Sequence, residues 1–211
     1  MTDLAAVYRG IDRYYSRRIR RFGPVPLGVD WHCQATQELR FVQLLRACDF
    51  GAPFSLNDLG CGYGALRAFQ VARHPDAQVD YLGIDLSARM VDAARARWAH
   101  DAGARFVHAR VPTRRADHSV ASGIFNVRLR VAPDDWERFV GKTLDDLAEH
   151  SMRGFSVNFI ALRPGESDDG GPLYRTHPER WADHCVARFG ADVRLVAGYG
   201  LREFTLLVAL R

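Results

Sequence analysis

Residues 55–66 read SLNDLGCGYGAL, with Gly60, Gly62 and Gly64 crowded into five positions directly behind a short apolar run. Glycine tolerates positive φ and lets another group approach the backbone closely. The stretch therefore predicts a strand, a sharp bend and the start of a helix, with a ligand lying on the bend.

Working outward, PFSLNDL (53–59) is a first strand, and Ala65–Arg73 a helix closed by His74 and Pro75. VDYLGID (79–85) is a second strand, after which Ser87 N-caps a helix running to about His100. ARFVHA (104–109) and SVASGIFNV (119–127) are read as a third and fourth strand. Pro133 suits the first turn of a helix whose dipole Asp134 and Asp135 complement, with Trp136, Phe139, Val140, Leu144 and Leu147 facing inward. GFSVNFIAL (154–162) is a fifth strand and PERWADHCVARF (178–189) a helix. DVRLVAGYG (192–200) and REFTLLVAL (202–210) follow with only a short turn between them.

This order reads as five β-then-α units and a terminal strand pair. The expected fold class is α/β: a Rossmann-like, seven-stranded, mostly parallel sheet with one antiparallel strand and helices on both faces. Apolar positions Leu4, Val7, Tyr8 and Ile11 keep helical spacing, and a second helix runs through Ala35, Leu39 and Val42. Residues 1–50 are thus expected to form an N-terminal helical cap or lid, and 51–211 the α/β domain. RPGESDDGG (163–171) reads as a mobile loop.

With 211 residues and 47% hydrophobic content, the chain suits one compact domain. No apolar run approaches the roughly 18 residues that a spanning helix needs, and MTDLAAVYRGIDRYY lacks a signal-peptide pattern. Cys33, Cys48, Cys61 and Cys185 are scattered, which suits reduced thiols of a cytoplasmic protein and no metal site. The net charge is +4 and Lys142 is the single lysine. Arginine forks suit anions, with Arg13, Arg17, Arg18, Arg20 and Arg21 the densest cluster; a codon bias or a solvated face explains them equally.

Gly60, Gly62 and Ala65 formally satisfy the dinucleotide pattern G-x-G-x-x-G/A, so the glycines alone do not choose a cofactor. Asp58 does more, because a carboxylate there accepts from an ammonium group and repels a phosphate. Asp85 ends the second strand, placed for both hydroxyls of a ribose. Either acid also has a plain reading as a local cap, and Met90 as core.

DLGCGYG at 58–64 followed by YLGIDLSARM at 81–90 resembles the class I S-adenosylmethionine-dependent methyltransferases. The resemblance covers the chain from about Ser55 to Arg211. It implies S-adenosyl-L-methionine as cofactor and methyl transfer as the activity. By the same resemblance Asp58 holds the methionine amino group, and Gly60, Cys61 and Gly62 pass beneath the methionine portion. Asp85 clasps the ribose, Leu86 and Met90 pack near the adenine, and Asn126 borders the transferable methyl. Ala109 and Arg110 stand where the family often has an acid reading the adenine amine.

For the acceptor, Trp31, His32, Tyr174 and His177 are the candidate catalytic residues: Trp31 as a lid or stacking group, the others as orienting or proton-accepting groups. His177 equally suits a helix start before Pro178. Arg128 and Asn158 are candidate substrate-binding residues, Arg128 being suited to an anionic acceptor or, alternatively, to an ion pair. Asn126–Leu129 is not the N/D-P-P-aromatic box of enzymes that methylate exocyclic amines, and it lacks a Pro-Cys nucleophile. A small-molecule acceptor, methylated on O or N, is expected; nucleic acid is disfavoured and a homodimer is compatible. A nucleic-acid or protein methyltransferase and a noncatalytic cofactor-binding activator subunit are the alternatives.

Overall fold

The computed structural model describes residues 4–163, 165–168 and 170–211. Its strands are β1 (Phe54–Leu59), β2 (Val79–Asp85), β3 (Ala104–His108), β4 (Ala116–Ala121), β5 (Ser151–Ala161), β6 (Arg175–Thr176), β7 (Asp192–Ala197) and β8 (Glu203–Ala209). The helices are α1 (Leu4–Phe22), α2 (Gln34–Leu44), α3 (Ala65–Arg73), α4 (Ala88–Arg97), α5 (Pro133–Glu149) and α6 (Pro178–Phe189). The sheet runs β3-β2-β1-β4-β5-β8-β7, with short β6 pairing beside β5. β8 is antiparallel to both β5 and β7, and the remaining pairs are parallel. The single reversed strand is the consequence of the short turn before it.

Two corrections concern the middle of the chain. The fourth strand is 116–121, so SGIFNV lies beyond its end. The added residues 116–118 include two polar side chains, yet Ala116 and His118 are buried in the sheet. Second, β3 passes to β4 through residues 109–115 without a helix, leaving four β-then-α units. Such a crossover normally carries about a dozen residues or more. Arg114 pins this one beneath the sheet by donating to the carbonyl oxygens of Leu56 and Asp80.

The missing helix is replaced from the N-terminus. Val7 is buried with Leu82, Ile84, Phe139 and Phe155, and Leu4, Tyr8 and Ile11 pack against the same cluster. Burying a Val side chain fully contributes about 1.5–3 kcal/mol. α1 then continues over the carboxyl ends of the strands, where Ile19 and Tyr15 pack with Met90 and Tyr63 beside α4. The second preface helix, α2, lies on the opposite face, its Phe41 and Leu44 buried with Leu56, Tyr81 and Val120. The preface is thus divided between both layers of the sheet.

β1 ends between two connections that leave in opposite directions, toward β2 on one side and from β4 toward β5 on the other. Ligands of open α/β sheets bind at such a point. Of the loop 163–171, Pro164 and Asp169 lie outside the described residues. Asp168 and Glu166 of that loop pair with Arg128 and Arg202.

Candidate functional site

A cavity opens at this switch point, enclosing about 950 Å³ of atom-free space with its mouth included. All seven glycine-bend and strand-end candidates border it: Asp58, Gly60, Cys61, Gly62, Asp85, Leu86 and Met90. The bend is built by backbone hydrogen bonds, Gly60 N and Cys61 N both donating to Ile84 O at 2.7 and 3.0 Å. Gly60 has φ +79°, and a Cβ there would stand 2.3 Å from Ile124 Cγ2. At Gly62, φ +56°, it would stand 2.9 Å from Val29 Cγ1. The close neighbours that exclude a Cβ are therefore side chains that themselves border the cavity.

Asp58 points to the face shared with Leu56, by the two-residue period of the strand. It is 1% exposed and accepts a hydrogen bond from Tyr81 Oη. Burial raises its pKa to about 7; the Tyr81 bond works against this, and the charge of Asp85 adds to it. Among the described residues no cation pairs with it. A buried carboxylate in that state favours a cationic group brought by a ligand.

Asp85 has a double task. Its Oδ2 accepts from Gly62 N and its Oδ1 from Ser87 N, both at 2.8 Å, tying the bend to the start of α4. The helix cap itself is Ser87, whose Oγ accepts from Met90 N at 3.4 Å. Burial pushes the Asp85 carboxyl up to about 6, against the two backbone donors. A carboxylate offers roughly four lone-pair positions, so two remain for hydroxyl groups.

Several side chains bordering the cavity were not singled out by sequence. Tyr8, Ile11 and Tyr15 of α1 roof it, and Gln37 and Phe41 of α2 close its flank. Burial raises the pKa of both tyrosines, most strongly Tyr15, so neither is a base at neutral pH. Helical periodicity marks these positions as inward-facing but does not distinguish a core from a cavity. Ser122, Gly123 and Ile124 border the cavity just past the true end of β4.

Of the candidate catalytic residues only Trp31 borders the cavity. Its indole lies against Gly123, where an added Cβ would meet Cζ2 at 2.4 Å, and the Arg40 guanidinium sits 3.8 Å from its ring centre. His32 is exposed outside. Tyr174 is 3% exposed in the core, its Oη accepting from Trp181 Nε1 at 2.9 Å. His177 is exposed at the N-terminus of α6, the place where a residue before Pro178 naturally falls.

The two substrate-binding candidates are committed elsewhere. Arg128 is fully buried, donating to both Asp168 oxygens and to Gly171 O, so it presents no free fork to an anion. Asn158 Oδ1 accepts from Gly123 N at 2.8 Å, and its Nδ2 donates to Glu203 Oε2 at 2.7 Å. Asn126 lies five residues past β4; it is buried, does not border the cavity, and neither end of its amide has a partner among the described residues.

Comparison with known proteins gives a consistent picture. A family model described as a methyltransferase domain matches residues 57–149. The chain is 44% identical over 164 residues to Rv1506c of Mycobacterium tuberculosis (strain ATCC 25618 / H37Rv), which carries the provisional name of methyltransferase; the match covers 78% of this chain and 98% of that one. Among solved structures, it is similar to magnesium protoporphyrin IX methyltransferase (ChlM) from Synechocystis PCC 6803 with bound SAH. That likeness has a TM-score of 0.65 at 14% identity and covers 99% of this chain and 100% of that one. It is also similar to human N-acetylserotonin methyltransferase in complex with SAM, with a TM-score of 0.64 at 16% identity, covering 99% of this chain and 60% of that one. At such identities the structural likeness shows the shared fold. Fold, family model and close relative agree, and the chain belongs to the class I S-adenosylmethionine-dependent methyltransferases.

Proposed function

We propose that the enzyme methylates an oxygen or nitrogen of a small-molecule metabolite, working in the cytoplasm. The observation that carries the small-molecule reading is the roof: α1 crosses the strand ends and contributes Tyr8, Ile11 and Tyr15 to the cavity. A folded macromolecule presents its reacting atom poorly beneath such a cover. Four free cysteines, with Cys61 and Cys185 buried, support a reducing compartment. No described helix is long and apolar enough to cross a membrane.

The residues present fit the cofactor. Asp58 would accept from its ammonium group, which supplies the cation that this buried carboxyl lacks. The free lone pairs of Asp85 would accept from the ribose hydroxyls, while Leu86 and Met90 give an apolar rest for the base. When bound, S-adenosylmethionine supplies an electrophilic methyl on a sulfonium. The chain's own contribution is to bind, align and exclude water, which converts a bimolecular displacement into an oriented one. No histidine borders the cavity among the described residues.

Calorimetry with S-adenosylhomocysteine tests the cofactor site directly. Incubation with methyl-labelled cofactor and fractionated cell extract tests the acceptor class. Label in the low-molecular-mass pool supports the reading. Label confined to protein or nucleic acid, or none at all, overturns it.

A further inference from the structure

We propose that the acceptor is an uncharged, flat and largely apolar molecule bearing one hydroxyl or amine, seated against Trp31. The proposal rests on the methyl-transfer reading and adds the chemical class of its acceptor. It follows from an ion census of the β4 side of the cavity.

Arg40 stands immediately behind Trp31, and its charge is fully used. Its Nε donates to both Glu203 oxygens at 3.0 and 2.8 Å, its Nη2 to Oε1 at 2.5 Å, and its Nη1 to Thr36 O. Both side chains are only 6–7% exposed, and Asn158 satisfies Glu203 from the other side. The guanidinium face rests on the indole, pinning the ring as a wall. Arg128, the other nearby arginine, is closed off by Asp168 and Gly171. The one cation bordering the cavity among the described residues, Arg110, lies after β3 at the opposite end, 5.4 Å from the Tyr8 ring.

An anionic acceptor would thus be buried on this side without an open cation. A cationic one would find only Asp58 and Asp85, whose acceptor positions the cofactor takes in the proposed reading. Either burial is costly. An anion would in addition meet Asp58 and Asp85, the only acids bordering the cavity among the described residues. What remains is apolar surface from Phe41, Ile124 and the indole of Trp31, with two neutral polar groups. Ser122 Oγ is buried without a partner among the described residues, and Gln37 uses its Oε1 to accept from Tyr63 Oη at 3.3 Å. Aromatic walls favour a planar ligand, and neutral hydroxyl and amide groups favour a neutral polar substituent over an ion.

The test uses a matched pair of probes on enzyme saturated with S-adenosylhomocysteine at pH 7. 2-Naphthol is neutral there and 2-naphthoate is charged, with nearly the same shape. Calorimetry should show 2-naphthol binding about tenfold or more tightly than 2-naphthoate. Trp31→Ala should weaken 2-naphthol by about tenfold, the size of a lost aromatic contact, with a smaller effect on S-adenosylhomocysteine. Trp31→Phe, which preserves a ring and guards against misfolding, should retain most of the binding. Equal or tighter binding of 2-naphthoate overturns the proposal, as does 2-naphthol binding weaker than about 1 mM or insensitive to Trp31→Ala. Failure of S-adenosylhomocysteine itself to bind overturns the cofactor reading instead, and is seen before any probe is added.

Discussion

Asp58 and Arg40 are charged residues of similar depth, 1% and 6% exposed, on either side of one cavity. Arg40 has a complete set of partners in Glu203 and Thr36, with Asn158 and Gly123 continuing the chain of hydrogen bonds. Among the described residues Asp58 has a single partner, the neutral phenol of Tyr81. The contrast separates two uses of buried charge. A completed ion pair holds α2 to β8 and fixes the wall that carries Trp31. A carboxyl left without a counter-charge is a position that a ligand's cation would complete in the proposed cofactor site.

The largest effect is expected at the ion pair. Arg40→Ala should strand a buried Glu203, and removing one partner of a buried pair costs about 3–5 kcal/mol. For a chain of this length that lowers the melting temperature on the order of 10 °C. Arg40→Met combined with Glu203→Leu should recover part of the loss, since the uncompensated charge is gone. If Arg40→Ala melts within a few degrees of the parent, the pair is not a scaffold and the distinction fails.

Asp85 stands between the two uses, because it both anchors the bend and faces the cavity. Asp85→Ala removes the acceptor of Gly62 N and Ser87 N, each stranded donor costing about 1–3 kcal/mol when buried. Melting should fall by roughly 5–10 °C, and S-adenosylhomocysteine affinity should fall about tenfold or more. Calorimetry showing unchanged affinity would leave Asp85 as an anchor alone.

Asp58 differs from Arg40 in its response to pH. Its folded pKa of about 7 exceeds the usual 3.8, so the folded chain holds a proton that the unfolded chain has lost. This contribution to stability therefore declines as pH rises between about 4 and 7. Asp58→Asn keeps an oxygen for Tyr81 and removes the titration. The variant should melt like the parent near pH 4 and above it at pH 7.5. Pairing with an ammonium requires the carboxylate, so S-adenosylhomocysteine affinity should climb as pH rises from 5 to 7. Asp58→Asn should flatten much of that climb, leaving the part due to Asp85, whose folded pKa is about 6. A parent affinity independent of pH over this range would remove the ammonium role.

The half of the cavity around the glycine bend was legible because its residues lie in two short local stretches, 58–66 and 81–90. A strand, a bend with obligatory positive φ at Gly60 and Gly62, and an acid at each strand end all leave local marks in sequence. The other half is assembled from distant segments. Arg40 and Glu203 meet across 163 positions, and nothing in RFV or REF announces the pair. Arg128 carried the right chemistry for an anion, but Asp168 neutralises it from 40 residues away. The α1 stripe was readable as helical, but not that it fills the layer left bare by the helix-free passage from β3 to β4. Only the fold says which inward face lines a cavity.

The smallest effects should come from the histidines that sequence nominated. His32 and His177 are exposed and border no part of the cavity. His177→Ala should leave S-adenosylhomocysteine affinity within about twofold and change stability by no more than a surface substitution does, about 0.5 kcal/mol or roughly 1–2 °C in melting. His32→Ala should do the same, although its neighbour Trp31 forms the wall. The pair therefore discriminates between a wall fixed from behind by Arg40 and a flap that swings with its linker. In a swinging flap, His32 would reach the cavity on closure, and its loss would weaken 2-naphthol binding as strongly as Trp31→Ala. In the fixed arrangement only Trp31→Ala and Arg40→Ala do so, because the guanidinium at 3.8 Å holds the indole against Gly123 whatever residue 32 is.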